Sequence, residues 1–361
     1  MRNRFSTSIF QFSVMEIDWK NVERVLIVKL RSIGDTVLTT PSLIALRRFL
    51  PEAQIDILLE DWVAPLLEGH DAIDNVISGG KTSGERLRTA WEINRRRYDI
   101  VFNLHGGTTA TFFTAASRAR HRVGFADYQY SFLYNHLLSS SSDFWQQKTT
   151  HSAEQQLALL GFVGVPVADR PKTRLVVNEQ IAAHVRTACV SGRNEAAGFA
   201  LLHPASAFAT KQWPTENFAK TAEFLAAKGL NVIAVAAKNE TAILEELKKL
   251  SRVPITTFND LSLPEITALA SQAKIFVGND SGIAHIAAAV NTPSVVVFGS
   301  SNRNHWRPWT DAPNEIVFEE FRCQPCPGYV CAEFGEPKCI LSVSPSAVFR
   351  ALERILSPAN S

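Results

Sequence analysis

The sequence predicts two α/β domains of similar size, each built on a parallel sheet. Apolar runs of strand length alternate with amphipathic segments of helix length throughout the chain, the pattern of consecutive β-α-β units. Over 163–172 the alternation pauses in "VGVPVADRPK", a linker with two prolines, and then restarts. The 361 residues at 46% hydrophobic content are enough for two cores.

In the first half, strands are predicted at 25–30, 55–59, 100–104 and 123–125, with helices such as 36–49 and 85–97 between them. In the second half, strands fall at 199–203, 232–236, 275–277 and 294–298, and helices at 216–228, 240–250, 264–273 and 282–290. The expected division is an extension over 1–22, a first domain over 23–172, a second over 173–343, and a C-terminal helix and tail over 344–361. The opening "MRNRFSTSIFQFSVMEIDWKN" has a basic start. Its apolar run is broken by Ser and Gln, it has no small-residue cleavage site, and it continues into Glu16 and Asp18. It therefore reads as a flexible extension, with Met15 an alternative start, and not as a signal peptide. No run has the length of a membrane span, and the chain is expected to be cytoplasmic. With 37 basic and 35 acidic residues, nothing in the net charge points to nucleic acid. Local charge is less even, with arginines at 95–97 and a second cluster in "SRARHRVG" from Ser117.

Ligands of parallel sheets bind at the carboxyl ends of the strands, so the turns there carry the chemistry. In "LIVKLRSIGDTVLTTPSLIALRR" the first turn has one glycine, Gly34, followed by Asp35. A dinucleotide site would carry G-x-G-x-x-G, which follows neither domain's first strand, and this argues against a dehydrogenase. A carboxylate at a helix start repels phosphate, so Asp35 is either a helix cap or faces something else. In "AKIFVGNDSGIAHIAAAVNTPSVVVFGSS" a strand, a polar turn and a helix rich in small residues follow one another. Free N–H groups at such a helix start suit a diphosphate. Asp280 would accept from sugar hydroxyls there, or Asp280 or Ser281 would cap the helix. His285, one turn in, reads as a packed or capping histidine. In "LLHPASAFATKQWPTENF" Lys211 precedes a Trp-Pro helix start and is placed for a phosphate at the same strand ends, or is an exposed loop lysine. Cys323, Cys326, Cys331 and Cys339 follow C-x2-C-x4-C-x7-C. Structural zinc, redox-sensitive pairing and free thiols remain open for them, with no catalytic role.

With these segments in order, the chain resembles the heptosyltransferases of lipopolysaccharide core assembly, which are inverting glycosyltransferases of the two-domain GT-B type. The resemblance runs from about Arg24 to Leu356 and rests on "VKLRSIGDTVLTTP", "RARHRVGF", "HPASAFATKQWP", "VGNDSGIAHIAAAVNTPSVVVFGSS" and the cysteine loop. It implies two Rossmann-like domains with the donor cleft between them. It implies transfer of heptose from ADP-heptose to the inner core of lipopolysaccharide, with Asp35 as general base and Lys211 neutralising donor phosphate. Ser206, Glu240, Asp280, Ser281, Gly282 and His285 are then donor residues, and Gly34, Arg120 and Arg122 acceptor residues. No metal or other cofactor is expected. The partners are a nucleotide sugar and a lipopolysaccharide precursor, with peripheral contact at the inner face of the inner membrane and no nucleic acid. The alternatives are a relative using another nucleotide sugar and a catalytically silent GT-B binding protein. Retention of both Asp35 and Lys211 argues against the second.

Overall fold

The computed structural model describes residues 16–190, 198–326 and 328–357. The expected extension as far as residue 15, Met15 included, and the tail from 358 lie outside the described residues. The chain folds around two six-stranded parallel sheets. The first has β1 (Arg24–Val28), β2 (Gln54–Leu59), β3 (Asn75–Ser78), β4 (Ile100–Asn103), β5 (His121–Phe125) and β6 (His136–Leu138), in the order β3-β2-β1-β4-β5-β6. The second has β7 (Phe199–His203), β8 (Asn231–Val235), β9 (Thr256–Phe258), β10 (Ile275–Asn279), β11 (Ser294–Phe298) and β12 (Asn314–Phe318), in the order β12-β11-β10-β7-β8-β9. In each sheet the strand order reverses beside the first strand, β1 or β7, which opens a crevice at its carboxyl end.

The helices of the first half are α1 (Ile33–Val37), α2 (Thr40–Phe49), α3 (Ser83–Arg96), α4 (Gly107–Ala116), α5 (Ser141–Trp145) and α6 (Ser152–Phe162). Those of the second are α7 (Glu179–Val185), α8 (Thr215–Ala227), α9 (Thr241–Leu250), α10 (Leu263–Gln272), α11 (Gly282–Ala289), α12 (Arg303–Trp306), α13 (Lys338–Leu341) and α14 (Pro345–Leu356). The single helix expected over 36–49 is two, because Pro41 sits in the first turn of α2 and has no N–H to continue the preceding turn. The first of the two starts earlier, at Ile33, which draws Asp35 into a helix.

Two expected boundaries change. Trp19 packs edge-on against Phe49 at 5.1 Å and its Nε1 donates to the Val163 carbonyl at 3.0 Å, so this part of the expected extension is docked on the first domain. The C-terminal helix is no appendage, since Val348, Ala351 and Leu352 of α14 are buried in one core with Leu225 and Val295.

One apolar core fills the outer face of the second sheet and another lies between the first sheet and α3 and α4. The largest runs through both domains, joining Val25, Ile27 and Leu46 to Ile286, Ala287 and Phe298. At its centre the starts of α1 and α11 meet. A Cβ on Gly34 would lie 2.7 Å from Cδ2 of His285 and 3.6 Å from Cα of Gly282. A Cβ on Gly282 would lie 2.7 Å from Cβ of Ile33 and 3.2 Å from the Gly34 nitrogen. Neither helix start has room for a side chain. Gly282→Ala should therefore force the domains apart locally and cost about 1–3 kcal/mol, the scale of overpacking a tight contact. Denaturant unfolding checks this, with a lower midpoint expected.

Candidate functional site

Two clefts open at the carboxyl ends of the strands, and the turn from Ser32 to Asp35 separates them. Ser32 and Ile33 line a cleft of about 470 Å³ on the second-domain side, with Lys211, Glu240, Asp280 and Gly282. Asp35 lines a cleft of about 400 Å³ on the first-domain side, with Lys29, His105, Asp127, His305 and Trp306.

The first-domain cleft is organised by charge. Asp35 Oδ1 accepts from Lys29 Nζ at 2.9 Å, and Oδ2 accepts from Ser32 Oγ at 3.0 Å. Asp35 thus reaches back to the residue before its helix, as an acid in a first turn does. Lys29 is 4% exposed and also donates to the Leu104 carbonyl at 3.0 Å. Burial pushes the Asp35 carboxyl up, but the Lys29 ammonium and the hydrogen bonds from Lys29 and Ser32 outweigh it and hold it below the ordinary value. Asp35 is ionised at neutral pH and oriented by two donors. His105 is pushed down to about 4, first by burial and then by Lys29. His305 is also lowered by burial, although its Nδ1 faces the Thr150 carbonyl at 3.0 Å and Asp35 favours its protonation. At neutral pH the carboxylate therefore stands among uncharged imidazoles.

The second cleft is held by Asn279 at the end of β10. Its amide donates to the Pro204 and Ala205 carbonyls at 3.0 and 3.2 Å, and its Oδ1 accepts from the Trp213 N–H at 3.0 Å. The fully buried Trp213 donates from Nε1 to the Val343 carbonyl at 2.9 Å. So anchored, the loop brings Lys211 Nζ to 2.8 Å from Asp280 Oδ2, which also accepts from Ser301 Oγ at 2.5 Å. Asp280 does not cap α11. The residue before that helix is Ser281, which makes no side-chain cap bond, and its Oγ lies 3.1 Å from Nδ1 of His203. The leading N–H groups of α11 thus combine with the helix dipole and Lys211 to favour an anion. Glu240 Oε2 accepts from the Ala237 N–H at 2.9 Å beside the same cleft. Ser206 also lines it, and its Oγ is buried without a hydrogen-bond partner among the described residues.

Comparison with known proteins now decides the family. The model of "Glycosyltransferase family 9 (heptosyltransferase)" matches residues 86–335. The chain belongs to glycosyltransferase family 9. Lipooligosaccharide heptosyltransferase 2 of Haemophilus ducreyi is 26% identical over 235 residues, covering 62% of this chain. The matched stretch spans 66% of that relative's own length. A solved family 9 glycosyl transferase from Veillonella parvula superposes with a TM-score of 0.80 at 20% identity, covering 95% of this chain and 99% of that one. The ADP-heptose lipopolysaccharide heptosyltransferase II of E. coli gives 0.77 at 19% identity, covering 92% and 98%. The fold is the two-sheet GT-B arrangement of these family 9 structures. Asp35 lies ahead of the span that the family model matches.

Of the expected donor residues, Ser206, Lys211, Glu240, Asp280, Ser281 and Gly282 line one cleft. His285 is not among its lining residues. Its ring is buried, with Cδ2 where a Cβ of Gly34 would sit. Gly34 accordingly serves the domain contact, since no side chain would fit there. Arg120 and Arg122 stand at the start of β5, at the amino ends of the strands and so at the end of the sheet away from Asp35. Arg120 is exposed, while Arg122 donates to the Leu133 and Ala119 carbonyls at 2.7 and 2.6 Å. The structure does not bring these two into either cleft.

Sequence reasoning missed Lys29, His105, Asp127, the serines at 139–142, and His305 and Trp306, all of which line the Asp35 cleft. Lys29 was signalled by a charge closing an apolar run, and His105 by the glycine pair Gly106-Gly107 between a strand and a helix. The serine run directly follows β6. His305 and Trp306 arrive from the other domain and leave no local signal. Beside His105 a cavity of about 230 Å³ sets Arg31, Arg86 and the carboxylate Glu60 against the start of α4.

The cysteine loop lies behind the cleft that holds Lys211. The Cys326 N–H donates to the Ser300 carbonyl at 3.0 Å, and Thr210 Oγ1, next to Lys211, donates to the Gly328 carbonyl at 3.0 Å. Cys323, Cys326, Cys331 and Cys339 are free thiols. Among the described residues no group of three or more His, Cys, Asp or Glu is arranged to hold a metal ion.

Replacing Lys29 by Met removes the ammonium beside Asp35 and leaves the burial, so the Asp35 carboxyl should titrate at higher pH than in the parent protein. Carbon-detected NMR of the carboxyl checks this. An unchanged titration would show that Ser32 alone sets the charge. The sign for stability follows. Asp35 is lowered in the fold, so its contribution is present above the ordinary carboxyl value and is lost as the pH falls through the folded value.

Proposed function

We propose that this protein is an inverting glycosyltransferase that moves a heptose from ADP-heptose to a sugar hydroxyl of the lipopolysaccharide inner core. The observation that carries this reading is the shared turn. Asp35 faces one cleft while Ser32 and Ile33 wall the other, which holds Lys211, Asp280 and the start of α11. A base and an anion site on opposite sides of one turn suit displacement at a carbon between them.

In this reading the acceptor hydroxyl lies in the Asp35 cleft. Asp35 takes its proton as the oxygen attacks the anomeric carbon. The nucleoside diphosphate leaves on the far side, which inverts configuration through an oxocarbenium-like transition state. Negative charge growing on the diphosphate meets Lys211 and the N–H groups of α11. Asp280, held by Lys211 and Ser301, is placed to accept from sugar hydroxyls. Glu240 is a candidate for the ribose, and Ser206 for a phosphate or sugar oxygen. Arg31 and Arg86, beyond His105, suit an acceptor that carries negative charge. ADP-heptose as donor is supported by the name of the similar E. coli enzyme, and the lipopolysaccharide acceptor by the names of the curated relatives. A nucleotide-sugar donor and such an acceptor put the protein at the cytoplasmic side of the inner membrane. Among the described residues no helix is long and apolar enough to cross a membrane.

Thermal shifts with a panel of nucleotide sugars test the donor, and ADP-heptose should raise the melting temperature most. Asp35→Asn should lower transfer by about 10²–10⁴-fold and leave donor binding nearly intact, as read by turnover and calorimetry. Near-parental turnover would return Asp35 to a structural role. Lys211→Ala should cost roughly 3 kcal/mol in kcat/KM, with part of the loss in kcat because the charge it meets grows in the transition state. Steady-state kinetics with both substrates varied separates the two parameters.

A further inference from the structure

The outer surface of α3 and α4 exposes large apolar side chains among its charged ones. Leu87 and Trp91, one turn apart on α3, are 63% and 62% exposed. Phe112 projects from α4, and Tyr130 and Phe132 stand exposed in the loop after β5. The two helices cover one face of the first sheet, with Ala90 and Ile93 of α3 and Phe113 of α4 in the same core beneath them. Single exposed apolar residues are ordinary, but several on one face mark an interaction surface.

The charge around this surface is net positive. Arg86, Arg88, Arg95 and Arg97 lie on or just after α3, and Arg118 and Arg120 follow α4. Arg95 stacks over Trp91, its guanidinium carbon 4.4 Å from the ring centroid. The nearby acids are occupied or few. Glu85 accepts from the Lys81 and Thr82 N–H groups at 2.8 Å, and Glu92 pairs with Arg96 at 2.6 Å. Asp127 is turned into the Asp35 cleft. A second copy of this chain docked about a two-fold axis would set these arginines against one another. An anionic bilayer meets both features, since basic side chains bind acidic headgroups while Trp, Tyr and Phe enter the interface.

We propose that the α3–α4 face, through Leu87, Trp91 and Phe132 with Arg88 and Arg95, docks this protein on an anionic lipid surface. Both helices begin at the strand ends where the Asp35 cleft opens, since Arg86 and Thr108 line the cavity beside His105. The 14 residues of α3 span about 21 Å, so a lipid-borne acceptor would need to reach no further than a helix length to Asp35. That last point alone rests on the acceptor proposed above, and lipid binding does not.

Co-sedimentation of the full chain with phosphatidylglycerol-containing vesicles, against phosphatidylcholine vesicles, tests the proposal. The protein should partition onto the anionic vesicles and lose that binding as salt rises. Arg88→Gln with Arg95→Gln should weaken it about thirtyfold, and Leu87→Gln with Trp91→Gln about tenfold or more. Phe132→Gln, in an exposed loop, should weaken it in the same direction should the helix variant fold poorly. The thermal shift caused by ADP should be the same in all folded variants. Absence of binding by the parent protein would overturn the proposal, as would equal binding by both double variants. A concentration-dependent dimer in sedimentation velocity that Trp91→Gln abolishes would also overturn it, because the face would then belong to a second copy.

Discussion

The site depends on how closely two helix starts approach each other. Gly34 and Gly282 let α1 and α11 meet with no side chain between them, and that contact brings Asp35 within one turn of the cleft that holds Lys211. The approach has an electrostatic cost, because both helices present their positive ends. Carboxylates offset it on each side, Asp35 within α1 and Asp280 just before α11. The apolar core that continues through both domains supplies the remaining cohesion. Geometry and charge at this point are therefore a single constraint.

Each carboxylate is in turn held by a lysine from its own domain, Lys29 on Asp35 and Lys211 on Asp280. The lysines differ in setting. Lys29 is buried at the end of a strand and spends a second bond on the Leu104 carbonyl, so its position is fixed. Lys211 ends a short 3-10 turn, with its side chain 22% exposed in its cleft. The first pairing sets the ionisation of a carboxylate. The second leaves a cation within reach of a ligand.

The central strands and the turns after them were legible in the sequence, because continuous apolar runs and motif residues fall there. β7 and β11 match their predicted spans. The four strands not anticipated, β3, β6, β9 and β12, are the four sheet edges. They are short and mostly part-exposed, so they carry no unbroken apolar run. The cleft that holds Lys211 was legible because Lys211, Asp280 and Gly282 each sit in a local motif. The other cleft was not, because it is assembled from strand ends far apart in sequence and from α12 of the second domain. Arg120 and Arg122 misled for a related reason. Their cluster is conspicuous in sequence, but it precedes β5 instead of following it.

The segment joining the domains is itself part of their contact. Thr173 bonds the Trp309 carbonyl through both its N–H and its Oγ1, Trp309 Nε1 donates to the Pro171 carbonyl at 2.8 Å, and the Leu175 N–H donates to the Ala289 carbonyl at 3.0 Å. On the other side, the Arg174 N–H donates to Thr40 Oγ1 at 3.1 Å and its carbonyl lies 3.2 Å from His70 Nε2. A strand of chain stitched on both edges is a seam and not a pivot. Swinging one domain away from the other would make residues 171–175 give up the bonds on at least one of these edges, with water to replace them only once the gap had opened. Molecules entering or leaving either cleft then pass most cheaply by its open mouth, each on its own side of the Ser32–Asp35 turn, while the seam stays closed.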